Sequence, residues 1–309
     1  MDFWQENFEK LKENNIGEKA IEPKEYILIE PNNYQYSFIQ VSNVFERNVL
    51  THIVSLYLPD NHYFQAPMFL AIEGRAGEGK TTQTIATCSQ HGIDIIYISA
   101  SELSGAHEKD SINVMKKIYS AAINLRKRGK VVAILIDDFH MGNATTDESV
   151  KRTINSNLLI GFLMNLAENN NSNKIPIILT GNDFSKTYAP LLRSGRADKF
   201  EWNPKYEEKK EIVKTIFYRF VNISEQEFNE LFDKYADNSV SDFYQLLNEY
   251  RKTLFSEYIN KIEVIDKNTI YTISQMVKQQ QHKINYSLLK QLADKRMEDT
   301  KKANERGKK

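Results

Sequence analysis

The chain holds one cysteine in 309 residues, Cys88. That excludes an internal disulfide and a cysteine metal cluster, and it fits a reducing compartment, with the cytoplasm as the expectation. A net charge is missing too. Forty-one basic side chains balance 41 acidic ones, so bulk charge points neither toward nor away from nucleic acid and leaves only local patches to consider. No run of about eighteen apolar residues is present to span a bilayer. Residues 1–6, MDFWQE, lack the basic and apolar regions of a signal peptide. No membrane partner is expected. Glycine is sparse, with 12 residues, yet three of them fall within six positions, 74–79. What remains is 41% apolar and 27% charged, the balance of a soluble globular protein with one large domain or two modest ones.

The glycine cluster reads Gly74-Arg75-Ala76-Gly77-Glu78-Gly79-Lys80-Thr81, the G-x-x-x-x-G-K-[ST] phosphate-binding loop of nucleoside triphosphatases. Glycines let the backbone wrap closely and aim its N–H groups inward as an anion nest. The helix that follows adds its positive N-terminal end. Lys80 is placed to reach the β- and γ-phosphates of ATP, and Thr81 to offer its hydroxyl to Mg2+. The context fits. Met68–Ile72 is an apolar run suited to a buried parallel strand, and Thr82–Ser89 has no Gly or Pro and reads as helix. The expected nucleotide contacts are Gly74, Ala76, Gly77, Glu78, Gly79, Lys80, Thr81 and Thr82.

Strand and helix then alternate. Ile93–Ile98, Val131–Ile136 and Ile175–Thr180 read as strands, with helices over Asn113–Arg128 and Asn155–Asn169 between them. This predicts a parallel sheet covered by helices on both faces. Ahead of the loop, residues 1–24 read as a loose helix. Glu25–Glu30 reads as a short strand and Phe38–Leu58 as a helix with Val44, Leu50, Ile53, Val54 and Tyr57 as its apolar contacts. From Lys205 onward the pattern is helical only: Glu207–Val221, Glu225–Tyr235 and Val240–Tyr258. The expected organisation is an N-terminal segment over 1–66, an α/β nucleotide core over 67–204, and an α-helical lid with a charged helical tail over 205–309.

Two carboxylates, Asp137 and Asp138, end the apolar strand Val131–Ile136. At the carboxyl end of a parallel strand they face the ligand crevice. Asp137 is expected to organise Mg2+ together with Thr81, and Asp138 to polarise the attacking water. The next strand ends in Thr180-Gly181-Asn182-Asp183, with Asn182 available to hydrogen-bond that water or the γ-phosphate. Arg193 and Arg196 flank Ser194-Gly195 and can present guanidinium groups to a phosphate.

Residues 175–202, IPIILTGNDFSKTYAPLLRSGRADKFEW, resemble the sensor-1 and arginine-finger region of plant-type Rubisco activase, an AAA+ ATPase. Ile98–Gly105 resembles the segment leading into that family's pore loop, and Ile136–Phe139 its second nucleotide motif. Leu163–Ala167 is similar to the helix before sensor 1. Gln291–Lys295 with Met297 is similar to its C-terminal helix. The resemblance runs from about Phe45 to Met297. It implies an AAA+ P-loop fold and a homo-oligomeric ring, six subunits being the expectation. It also implies finger arginines that reach the neighbour's nucleotide, and pore loops that pull on a protein client. By that resemblance Asn182 is the sensor-1 residue, while Arg193 and Arg196 are the finger candidates.

Three places depart from the family pattern. His140 replaces an acidic residue and has no second histidine at ligand spacing. The sensor-2 arginine position is occupied by Asn248, with Arg251 one turn on. The N-terminal segment does not resemble the family's client-engaging domain, so the client is open and Rubisco is only one candidate. Two other readings stand beside the client remodeller. One is an AAA+ motor or clamp on nucleic acid, using the basic tail and Lys127-Arg128-Gly129-Lys130. The other is a nucleotide-dependent scaffold.

Overall fold

The computed structural model describes residues 26–58, 66–103, 108–139, 149–168, 174–184, 191–259, 266, 269–273 and 285–306. The expectations for a helix over 1–24, for Ser104-Gly105, for His140 and for the tail before residue 285 lie outside the described residues.

A six-stranded sheet organises the chain, in the order β1-β3-β4-β5-β2-β6. The strands are β1 (Ile27–Ile29), β2 (Phe69–Glu73), β3 (Asp94–Ser99), β4 (Val132–Asp137), β5 (Ile177–Gly181) and β6 (Ala197–Glu201). β2 to β6 run parallel. β1 joins β3 antiparallel, with Ile27 opposite Tyr97, so the sheet is mixed at one edge. β6 is absent from the strands expected from sequence. Its residues are ADKFE with Lys199 and Glu201 in solvent, and an edge strand of charged residues carries little apolar signal. It is held by backbone pairing to β2, Phe69 opposite Ala197 through Glu73 opposite Glu201.

The helices are α1 (Asn43–Tyr57), α2 (Lys80–Gln90), α3 (Ala100–Leu103), α4 (Glu108–Lys127), α5 (Ser149–Glu168), α6 (Tyr206–Phe220), α7 (Glu225–Lys234), α8 (Val240–Ile259) and α9 (Tyr286–Arg306). Serines set two of their starts. Ser42 Oγ accepts from Val44 N at 3.3 Å. Ser224 and Glu227 form a reciprocal capping box, the arrangement that satisfies two otherwise orphaned N–H groups. Within α1 the buried face is Phe45, Val49, His52, Ile53 and Leu56. Val44 and Val54 point outward instead, 50% and 51% exposed. The i, i+4, i+7, i+8 spacing from Phe45 is the wider apolar stripe, and it decides the helix's rotation.

Side-chain alternation along the strands splits the core in two. Leu70, Ile72, Ala133, Leu135 and Ile178 face a cluster that includes α1, α2 and residues of α6 to α9. Phe69, Ala71, Ile134, Ile136 and Leu179 face a second cluster built on α4 and α5. Trp202, just after β6, is buried against Phe45 with ring centroids 5.0 Å apart at 82°. That edge-to-face contact ties the end of the sheet to α1. The carboxyl ends of β2, β4 and β5 stand side by side as a result, with β5 in the middle.

Candidate functional site

The loop between β2 and α2 wraps because two of its glycines are required there. A Cβ on Gly74 would come 2.1 Å from the Trp202 carbonyl oxygen. Gly77 sits at φ +77 with a Cβ position 2.6 Å from Ser239 Oγ. Any other residue would clash at the first and be both strained and crowded at the second. Lys80 is the first residue of α2 and is buried. Its ammonium donates to the Gly74 carbonyl at 2.7 Å, the Arg75 carbonyl at 3.0 Å and Asn182 Oδ1 at 3.1 Å, which accounts for all three of its donors. Burial pushes the Lys80 pKa down, against the pull of Asp138, Asp137 and Glu78.

Thr81 Oγ1 donates to Asp137 Oδ1 at 2.5 Å. The Thr180 hydroxyl on β5 donates to the same oxygen, and Tyr97 OH on β3 donates to Asp137 Oδ2 at 3.2 Å. Asp137 is thereby held by groups from α2, β3 and β5 at once. Asp138 follows in the left-handed region, φ 54, with its N–H donating to Thr180 Oγ1 at 3.3 Å and its side chain exposed. The left-handed residue turns the chain sharply at the end of β4, directly after Asp137. The structure therefore brings Lys80, Thr81, Asp137, Asp138 and Asn182 to one crevice, the position where open α/β sheets bind ligands.

Arg193 and Arg196 are elsewhere. Ala197 pairs with Phe69, at the start of β2, while the phosphate loop follows Glu73 at its end. Roughly 13 Å of strand separates the two. The Arg196 backbone is fixed there, its carbonyl accepting from Phe69 N at 3.1 Å, and its guanidinium pairs with Glu168 at the end of α5. Arg193 is exposed. Arg251 lies over the Phe220 ring, 4.7 Å from its centroid, and Asn248 is exposed.

Sequence reading missed three participants: Tyr97, the Thr180 hydroxyl and Lys209. Lys209 Nζ on α6 lies 2.9 Å from Glu78 Oε1 inside the phosphate loop. Polar groups at strand tips carried a signal for Thr180 and Tyr97. Nothing local marks Lys209, one of several lysines on a helix.

A P-loop between a parallel strand and a helix, with carboxylates and an asparagine at neighbouring strand tips, defines a P-loop ATPase of α/β architecture. Residues 70–205 match the model of the ATPase family associated with various cellular activities (AAA), and the chain carries an AAA ATPase domain. Similar curated proteins are ribulose bisphosphate carboxylase/oxygenase activases. That of Nostoc sp. strain PCC 7120 is 34% identical over 211 residues, 64% of this chain and 51% of the relative. The chloroplastic one of Phaseolus vulgaris is 30% identical over 247 residues, 74% of this chain and 54% of the relative. That of Chlamydomonas reinhardtii is 30% identical over 224 residues, 69% of this chain and 54% of the relative. The chain spans about half the length of the curated relatives it matches.

Proposed function

We propose that this chain is an ATP-hydrolysing AAA+ protein that assembles as a ring and couples hydrolysis to remodelling of a protein client, in the manner its likeness to Rubisco activases suggests. In this reading residues 67–204 are the nucleotide core and the helices from 205 are the lid and tail. The observation that carries it is the convergence of Lys80, Thr81, Asp137, Asp138 and Asn182 on one crevice, with Arg193 and Arg196 at the opposite end of the sheet. Those arginines are out of reach of their own phosphate loop. Their position supports the reading that they serve a neighbour's site, and that is the reason to expect a ring.

The residues fit ATP with Mg2+. The N–H groups of the loop and the N-terminus of α2 suit the β- and γ-phosphates. Thr81 and Asp137 offer hard oxygen donors 2.5 Å apart, the donor type Mg2+ takes. Among the described residues no three His, Cys, Asp or Glu side chains form a metal cluster, so the remaining ligands would be phosphates and water. Mg2+ would neutralise charge developing on the phosphates. Asp138, with its exposed carboxylate, orients the attacking water, and Asn182 hydrogen-bonds the γ-phosphate or that water. Lys80 exchanges its two backbone carbonyl partners for phosphate oxygens when nucleotide enters.

A ring-dependent ATPase gains specific activity as subunits assemble, and it is stimulated by its client. The experiment is ATP turnover across protein concentration, followed by capture of the client with an Asp138→Asn variant loaded with ATP. Purified Rubisco is one defined candidate to add. Turnover that ignores protein concentration removes the ring. Binding to nucleic acid that falls steeply with salt, together with stimulation by it, would replace the protein client with the nucleic-acid reading. No helix of the described residues is long and apolar enough to cross a membrane.

A further inference from the structure

Glu78 is a carboxylate inside a loop built to hold anions, and it is 2% exposed. Its Oε1 pairs with Lys209 Nζ at 2.9 Å, and the two side chains are 2% and 11% exposed. Lys209 also donates to the Asn238 carbonyl at 3.1 Å. Glu78 Oε2 is buried with no hydrogen-bond partner. Around this pair the loop is tied to the helical segment at two points and to Trp202 at a third. Arg75 donates to the Asp237 carbonyl at 2.9 Å. Ser241 N, at the start of α8, donates to the Gly77 carbonyl at 2.9 Å. Trp202 Nε1 donates to the Glu78 carbonyl at 2.7 Å.

Two consequences follow from charge and burial. An uncompensated buried carboxylate beside a polyphosphate repels it, because little water screens the pair. Glu78 lies two positions before Lys80 in the same loop, close to where the phosphates would sit. Second, the cation that neutralises Glu78 does not belong to the sheet. It comes from α6, which packs with α8, so the charge balance of the loop depends on how the helical segment is docked.

We propose that Lys209 is a positioning residue of the nucleotide site: by neutralising Glu78 it keeps the phosphate loop competent to accept a polyanion, and it makes that competence depend on the docking of α6. This rests on the ATP-binding reading above and extends it to a residue outside the loop. Lys209 touches neither phosphate nor metal; it acts through Glu78.

The test is ATP affinity by calorimetry on the full chain, with thermal unfolding measured alongside. Lys209→Met leaves the carboxylate unpaired and should weaken ATP at least about tenfold. Lys209→Arg should hold most of the affinity. Glu78→Gln combined with Lys209→Met removes both charges and should recover most of what Lys209→Met lost. A purely structural lysine predicts affinities that follow the unfolding temperatures across the series, with no loss in any variant that is fully folded at the assay temperature. Should Lys209→Met fail to fold, Lys209→Gln keeps a shorter, neutral donor and removes the charge; the same loss is expected. A folded Lys209→Met or Lys209→Gln that binds ATP within threefold of the wild type would overturn the proposal, as would a double variant no better than Lys209→Met. Wild type and Lys80→Ala serve as controls. If the wild type binds no ATP, the functional reading has failed; if it binds and Lys80→Ala does not, only the Lys209 arms judge this inference.

Discussion

Lys80 Nζ lies 3.1 Å from Asn182 Oδ1, so the cation of the phosphate loop rests on the tip of β5. β5 sits between β4 and β2 in the sheet. It therefore touches both halves of the site, Thr180 holding Asp137 and Asn182 holding Lys80. In the proposed function Lys80 meets the phosphates in the ground state and Asn182 the charge that develops in the transition state.

Replacing Lys80 by Ala removes a buried cation that nucleotide needs in the ground state. Charge-assisted contacts are worth about 1.5–3 kcal/mol, and tenfold in affinity is about 1.4 kcal/mol. ATP should bind about ten- to a hundredfold more weakly, with turnover lost. Asn182→Ala should move ATP affinity little and lower kcat by about 10²–10³, the scale for one donor aimed at developing charge. Calorimetry and steady-state turnover separate the two. Equal losses of affinity in both variants would show that Asn182 only supports Lys80.

Asp138→Asn keeps the shape of the turn and removes the charge proposed to polarise water. General-base contributions are about 10²–10⁴ in rate, so ATP should stay bound while kcat falls by that order. Normal turnover by this variant would shift the role to Asp137, whose two oxygens are already engaged by Thr81, Thr180 and Tyr97.

Much of the nucleotide crevice could be read from the chain because its signals are local. Gly74–Thr81 announces itself by glycine spacing, and Asp137-Asp138 by its apolar strand. Strands β2 to β5 are short, continuous apolar runs. β6 was not legible, because its pairing with β2 is a backbone property and its side chains are mostly charged. The rotation of α1 was misread where exposed Val44 and Val54 suggested the wrong stripe. Lys209 meets Glu78 across 131 positions of sequence, a separation at which no spacing rule applies. Arg193 and Arg196 stood out by flanking Ser194-Gly195, and their finger role came from resemblance. Their distance from the phosphate loop needed β6, the strand that sequence reading lacked.

His52 gives a pH prediction. It is buried on α1, where neither ring nitrogen makes a well-formed hydrogen bond and the Met68 backbone compensates only in small part for burial. Burial pushes its pKa from the ordinary 6.5 down to about 4. The unfolded chain therefore binds this proton more readily than the folded one. Stability contributed by neutral His52 is intact above pH 6.5 and declines as pH falls toward 4. Between pH 7 and pH 5 the loss should be about 2 kcal/mol, at about 1.4 kcal/mol per pH unit below 6.5. Urea unfolding at both pH values should show a smaller loss in His52→Leu than in the wild type. Parallel losses in the two proteins would sink the assignment.

The two arginines near the start of β6 should behave differently. Arg196 is held by Glu168 within its own chain, and its backbone is fixed to β2. Arg193 is exposed on the preceding turn and is free to reach across an interface. An arginine that stabilises charge on the transferred phosphoryl group is worth about 10³–10⁵ in rate. Arg193→Ala should therefore lose about a thousandfold or more in kcat while each subunit still binds ATP. Arg196→Ala should lose less, by disordering the segment that presents Arg193, and Glu168→Gln should reproduce part of that loss. Mixing Arg193→Ala with Lys80→Ala tests action in trans. Neither variant alone has a complete site, but an interface that joins the intact loop of one to the intact Arg193 of the other does. Activity should return in the mixture, rise with total concentration and peak near equal amounts. A mixture no more active than its parts, with single variants that lose activity equally at all concentrations, would mean that Arg193 serves no neighbour and that the ring reading fails.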